Sequence, residues 1–483
     1  MSTRFLRDDN KNNAKRMKLL LFGTGDYYRK YIKWFEPENI VALVDNDRSK
    51  TGTIIDGHVV VMPDKAVKLQ FDRIVVLSVH EKEIRSQLID LGVTDGRIIA
   101  CAQLFRHPEL IKKKLPVCFF SSEREFDTSI DLFNKADAII AMSYDLNLNG
   151  ASLALYNAVL CLKESGYSVL VAAWEDGPLR ERYAQNRIPV IVDPNLELRT
   201  AKEICWLHGF RMVICNSLMY YYFLYDRDMD VKYLWWLHDP GIFYENLDKE
   251  ILENIPKDNL YVYAAGKIAG DAVEKYVYGV KARQLLYGIQ DVPVHRRKRN
   301  KILEFAVIAN VQRYKGQDIL IEALKELSTK ELSKIHISII GNQNSAFALD
   351  LKERSVSLAG TVSFIPPVSR EKVNKIFDSL DVLIVPSRVD TMSLTAGEAM
   401  QHHVVSIVSD AAGISDYITN EIDSLVFRSE DPTALAEKIR WCILHQDQLA
   451  EMGDRAREIY NRCFTMDIFH KNLISVVKEV FSE

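Results

Sequence analysis

The chain has 483 residues, 48% apolar and 27% charged, the balance of a soluble globular protein with roughly two to four domains. Lys and Arg number 62 against 66 Asp and Glu, a net charge of −4, so no global field recruits nucleic acid and none is expected as a partner. The 7 cysteines are scattered without a C-x-x-C pair, which argues against a disulfide scaffold and suits reduced thiols in the cytoplasm. The opening segment MSTRFLRDDNKNNAKRMK is basic and polar and lacks the apolar centre of a signal peptide. No uninterrupted apolar run reaches about 18 residues, so no membrane span is expected.

In chain order, short β-branched runs alternate with longer amphipathic stretches, which predicts an α/β protein of parallel sheets covered by helices. The first group is KLLLFGTG (18–25), NIVALVDND (39–47), RIVVLSV (73–79) and RIIAC (97–101). The second is AIIAMS (138–143), YSVLVAAW (167–174), IPVIVD (188–193), MVICNS (212–217) and YLWWLHD (233–239). The third is FAVIAN (305–310), KIHISIIG (334–341), VSFIPP (362–367), DVLIVPS (381–387) and VVSIVSD (404–410). Nearly every residue in these runs is apolar, as in strands buried on both faces. The basic stretches KKKLP (112–116) and HRRKRNK (295–301) separate the groups, and the second could also meet anionic headgroups or phosphates. The expected division is 1–115, 116–298 and 299–465, with a last helix at 466–483 crossing back to the middle unit.

The third group carries the chemistry. In FAVIANVQRYKGQDILIEALKEL (305–327) a strand is expected to end at Asn310, before a loop with Arg313, Lys315 and Gly316 and then a helix. Such a unit aims loop cations and helix N-terminal amides at one spot, which suits a phosphate. In PSRVDTMSLTAGEAM (386–400) a buried strand gives way to a polar loop with Asp390, and Glu398 is expected to open the next helix. Two carboxylates then stand at the carboxyl edge of a parallel sheet, and the amides around Met392 to Thr395 can approach an anion.

K-G-Q-D before an apolar helix, P-S, and D-T-M-S-L-T-A-G-E-A-M together resemble the donor half of family-4 retaining glycosyltransferases of the GT-B fold. Asp390 and Glu398 fit that family's spacing of two carboxylates, and SDYITNEIDSLVFRSEDPTALAEKI (415–439) resembles its tail. The resemblance runs from about residue 138 to the end and is densest over 305–440. It implies two Rossmann-like lobes facing a cleft, preceded here by a third small Rossmann-like unit. It also implies transfer of a sugar from a nucleotide-diphosphate donor, with retention, to a glycan, lipid-linked or protein-linked acceptor. Bacterial surface polysaccharide assembly is the expected setting.

By this resemblance Glu398 accepts hydrogen bonds from the donor ribose, Asp390 sits by the donor sugar, and Lys315 pairs with the diphosphate. The amides of Ser393, Leu394 and Thr395 complete the phosphate cradle in place of a metal ion, so no cofactor is expected. No D-x-D lies in a convincing loop context. Asn310 stands where the family usually has an arginine, for which Arg313 is the substitute. Met392-Ser393 replaces a usual glycine, and Gln401-His402-His403 a small-residue turn. In the middle group, Gly150 lets the backbone approach the donor phosphate or acceptor, and His238 touches the donor sugar. LLYGIQDV (285–292) resembles the family's last strand of that lobe.

The first group holds half of a dinucleotide fingerprint: Gly23 and Gly25 in a turn, and Asp45 for a ribose. Nucleotide binding and a structural or docking role both stay open for it. Rival readings of the whole are a catalytically inactive GT-B scaffold and an NAD-dependent sugar oxidoreductase or epimerase. Homo-oligomer formation and peripheral membrane contact, through HRRKRNK or the aromatic run YYYFLY (220–225), are further expectations.

Overall fold

The computed structural model describes residues 17–120, 138–295 and 301–482. Most of HRRKRNK and of the basic N-terminal segment lies outside the described residues. Three sheets follow one another along the chain.

The first contains β1 Leu19–Phe22, β2 Ile40–Val44, β3 Ile54–Ile55, β4 His58–Val61, β5 Arg73–Val76 and β6 Ile98–Ala100, in the order β3-β4-β2-β1-β5-β6. The middle sheet contains β7 Cys118–Phe120, β8 Ala138–Asp145, β9 Ser168–Glu175, β10 Val190–Val192, β11 Met212–Cys215, β12 Lys232–Leu237, β13 Leu260–Ala264 and β14 Arg283–Gln284. Its order is β14-β13-β12-β11-β8-β9-β10-β7. The third contains β15 Leu303–Ile308, β16 Ile335–Ile340, β17 Val362–Ile365, β18 Val382–Val385, β19 Val405–Ser409 and β20 Leu425–Phe427, in the order β17-β16-β15-β18-β19-β20.

The interior strands are largely apolar because helices cover both faces; β1, β18 and β19 have every residue buried, the two serines of β19 included. The sheets are parallel, as the alternation of strands and helices predicts, except at two edges, the β3–β4 hairpin and the β7–β10 pair. The direction of winding reverses between β8 and β11 in the middle sheet and between β15 and β18 in the third. Crevices at such reversals, at the carboxyl ends of the strands, are where open α/β sheets take ligands.

The first sheet is welded to the middle one. Tyr28, Trp34, Phe105 and Leu110 share a core with Trp174, Tyr220, Tyr221 and Phe223. Phe105 stacks on Tyr222 at 4.2 Å, and Lys30 pairs with the buried Glu197 at 3.0 Å. YYYFLY is therefore no exposed membrane patch. Tyr220, Tyr221, Phe223 and Leu224 are buried, because the turn that carries them fills the junction between the two sheets.

Two further expectations need correction. The segment 285–292 forms no long strand: β14 ends at Gln284, and only an isolated bridge, Ile289 to Thr465, follows. Its apolar side chains pack instead against the last helix, where a Cβ on Gly288 would come within 2.7 Å of Met466. β15 ends at Ile308, so Asn310 belongs to the following loop. The helix Met466–Ser482 packs on the middle sheet, with Phe469 stacked on Trp236 at 5.7 Å and Glu479 paired with Arg283.

Candidate active site

The loops after β15 and β18 lie side by side because those strands are neighbours. Gly316 makes the turn after β15: its φ is 69°, and a Cβ there would stand 1.8 Å from the Pro386 carbonyl oxygen. Only a residue without a side chain lets the two loops come that close. Arg388 ties them further, donating to both oxygens of Asp318 at 2.7 and 2.9 Å and to the Arg313 carbonyl. Lys315 is thereby brought over the second loop, where its Nζ donates to Asp390 Oδ2 at 2.8 Å. The other Asp390 oxygen accepts from the Ser393 amide at 3.1 Å, so this carboxylate both shapes its loop and holds the lysine.

Ser393 has φ 63°, and the helix Leu394–Gln401 starts directly after it. No side chain caps this helix, so its first amides point out of the loop without an intrahelical acceptor. Glu398 sits in the middle of the helix rather than opening it, because the left-handed Ser393 ends the loop earlier than the sequence pattern implies. Its carboxylate is buried and paired with Arg370 at 2.6 Å; burial raises its pKa and the guanidinium opposes that rise. Tyr287 is buried nearby, its hydroxyl held protonated by burial and by the negative charge of Asp390 and Glu398.

The middle sheet faces these loops. His238 follows β12, and its Nε2 meets Asn216 Oδ1 at 2.7 Å. The Asn216 amide nitrogen donates to the Ala151 carbonyl at 2.9 Å, which fixes the side chain so that its oxygen faces the imidazole. That arrangement assigns the proton to Nε2 and leaves Nδ1 as an acceptor. Burial lowers the His238 pKa to about 3, so the ring is neutral at physiological pH. The unfolded chain takes up this proton near the ordinary value of 6.5. Between the two values the unfolded state binds more protons, so stability falls as the pH drops, by up to about 1.4 kcal/mol per pH unit. A His238→Gln variant is expected to lose that slope in urea melts run between about pH 7 and 5.

The two halves touch at the second loop. Thr391 Oγ1 donates to the His238 carbonyl at 2.8 Å, and a Cβ on Gly266 would fall 2.9 Å from the Thr391 carbonyl oxygen. Asp390, Lys315, Met392, Ser393 and His238 thus converge. Leu394, Thr395 and Glu398 sit on the adjoining helix, where Leu394 and Thr395 are half-buried. Gly150 opens the helix Gly150–Glu164 with open space around it, and its neighbour Ala151 is linked to His238 by two hydrogen bonds through Asn216.

Other expected residues lie differently. Asn310 is exposed and accepts from the Asn342 amide at 3.4 Å, and the Arg313 side chain is exposed at the loop's outer edge. In the first sheet Gly23 is required, with φ 105° and a Cβ that would fall 2.5 Å from the Leu77 carbonyl oxygen. Gly25 has open space around it. The Asp45 carboxylate already accepts from Thr24, from the Asp47 amide and from Lys50, so protein donors occupy the oxygens expected to meet a ribose. Sequence reading missed Asn216, Gly266, Arg370 and Arg388. Only Asn216 and Arg388 carried a signal, as polar residues just after buried strands at the carboxyl edge of a sheet.

Known proteins share parts of this chain's sequence and its fold. Residues 291–459 match the family model for glycosyl transferases group 1, and residues 15–99 match one described as C2185-like, N-terminal. The fold is that of GT-B glycosyltransferases. Anabaena Alr3699/HepE, solved with UDP and glucose, superposes with a TM-score of 0.62 at 16% identity, covering 71% of this chain and 99% of that one. Sucrose-phosphate synthase from Thermosynechococcus elongatus gives 0.59 at 14%, covering 72% and 99%.

Among curated proteins, D-inositol 3-phosphate glycosyltransferase of Nocardia farcinica is 24% identical over 158 residues, 31% of this chain and 35% of that protein. Glycogen synthase of Thermodesulfovibrio yellowstonii is 22% identical over 209 residues, 41% of each. The matched regions thus span well under half the length of these relatives. Neither the oxidoreductase nor the scaffold reading is favoured by these likenesses. Among the described residues no helix is long and apolar enough to cross a membrane, and no cluster of metal-ligating side chains is present.

Proposed function

We propose that the chain is a retaining glycosyltransferase that moves a sugar from a nucleoside diphosphate donor to a hydroxyl of a glycan, lipid-linked or protein-linked acceptor. The observation that carries this reading is the Lys315–Asp390 pair at 2.8 Å, set beside an uncapped helix start and facing His238. In this reading residues 299–465 form the donor lobe and 116–298 the acceptor lobe, with surface polysaccharide assembly at the cytoplasmic face as the setting.

The reaction breaks the bond between the anomeric carbon and the β-phosphate oxygen. Negative charge grows on the leaving diphosphate, where Lys315 and the amides of Ser393, Leu394 and Thr395 stabilise it. Lys315 shares its three donors between the phosphate and Asp390. The acceptor oxygen forms its bond on the same face, and its proton passes to the departing phosphate oxygen. Asp390 and the neutral His238 orient the sugar, and Glu398 receives the ribose hydroxyls. Lysine and backbone amides supply the positive charge that a divalent cation supplies elsewhere.

The UDP and UDP-glucose held by structural neighbours make uridine donors the first to test. The experiment is a donor screen with acceptor sugars, with the product followed by proton NMR. An axial donor linkage kept axial in the product supports the reading. Net inversion, or no transfer and no donor hydrolysis from any nucleotide sugar, contradicts it.

A further inference from the structure

Glu398 is a carboxylate with 3% of its side chain exposed, and among the described residues its ion-pair partner is Arg370, whose Nη1 stands 2.6 Å from Oε1. Arg370 is the first residue of the helix Arg370–Ser379, and 44% of its side chain remains exposed, so it reaches inward from the surface. Glu398 Oε2 accepts no hydrogen bond from the protein among the described residues.

The ion pair is one of several contacts between the two helices. At the far end of the same helix Asp378 meets His402 Nδ1 at 3.0 Å, and Phe377 stacks on the His402 ring at 5.2 Å. What the Arg370 contact adds is a hold on one carboxylate oxygen that leaves the other without a protein donor among the described residues, in a region where Asp390 and Glu398 both act on Tyr287. A carboxylate has about four lone-pair sites, so it can satisfy a guanidinium and still accept from two neighbouring hydroxyls.

We infer that Arg370 is a positioning residue that sets the preference of this site for a ribose over a 2′-deoxyribose, by holding Glu398 Oε1 so that Oε2 meets the vicinal diol. The inference rests on the donor-site reading proposed above. A site built to pair with a hydroxyl discriminates against the ligand that lacks it, because its own polar group is then left unpaired.

The test is calorimetric titration of the full chain with UDP, GDP and ADP and with their 2′-deoxy counterparts. The chains compared are the wild type, Arg370→Met and Arg370→Lys. The wild type is expected to favour one ribonucleotide over its deoxy form by roughly tenfold or more. Arg370→Met is expected to bring that ratio close to one, and Arg370→Lys to restore most of it. A merely structural Arg370 predicts weaker binding of both forms at an unchanged ratio, and that result overturns the inference while leaving the donor site standing. Binding of no nucleotide by the wild type overturns the donor-site reading and the inference with it. If Arg370→Met does not fold, Arg370→Gln takes its place with the same expected loss of preference.

Discussion

Gly316→Ala is expected to destabilise the protein by roughly 2–5 kcal/mol and to remove nucleotide binding. Two costs add at this position. The backbone is left-handed at φ 69°, which a Cβ disfavours by about 1–2 kcal/mol. The new methyl would also stand 1.8 Å from a backbone carbonyl oxygen that cannot rotate away, so the loops after β15 and β18 must separate. Lys315 then withdraws from Asp390, and the cradle loses its cation. Urea unfolding and nucleotide titration check the two parts separately. A variant with wild-type stability and affinity would show that the close approach of the loops is not needed.

Lys315→Ala is expected to act on chemistry with little effect on the fold. The pair with Asp390 is mostly buried, but the carboxylate left behind keeps a backbone donor, so the cost to stability is expected to stay at about 1–2 kcal/mol. Asp390 keeps its bond from the Ser393 amide, so the loop should hold its shape. Affinity for a nucleoside diphosphate is expected to fall roughly ten- to a hundredfold, the loss of a charge-assisted contact. Turnover is expected to fall by about 10²–10³, because the growing charge on the leaving group loses a preorganised cation. Steady-state kinetics with the best donor separates the two effects. A fall in stability with unchanged turnover would assign the lysine a purely structural part.

How far the sequence could be read follows from what each feature depends on. Strands such as LLLF and VLIV declare themselves because burial on both faces leaves only apolar residues. The loops of the third sheet are legible because Lys315 and Asp390 sit in local patterns tied to strand ends. The start of the helix before Glu398 was misplaced because a serine with positive φ, not a glycine or proline, ends that loop. YYYFLY reads equally well as surface or core, and only its neighbours from the first sheet decide. Arg370 and Gly266 act through partners distant in the chain, Glu398 and Thr391, and no local pattern marks such pairs. The Asp45 fingerprint shows the reverse case: a motif whose acid is already satisfied by the neighbouring Thr24 and Lys50.

The most direct test of the account is calorimetric titration of the full chain with UDP, GDP, ADP and dTDP in the presence of EDTA, repeated on Lys315→Ala and Glu398→Ala. The account predicts saturable binding of one base that survives the chelator and is lost or strongly weakened in both variants. Binding that neither substitution changes, or no binding of any of the four, would contradict a nucleotide donor site between the middle and third sheets.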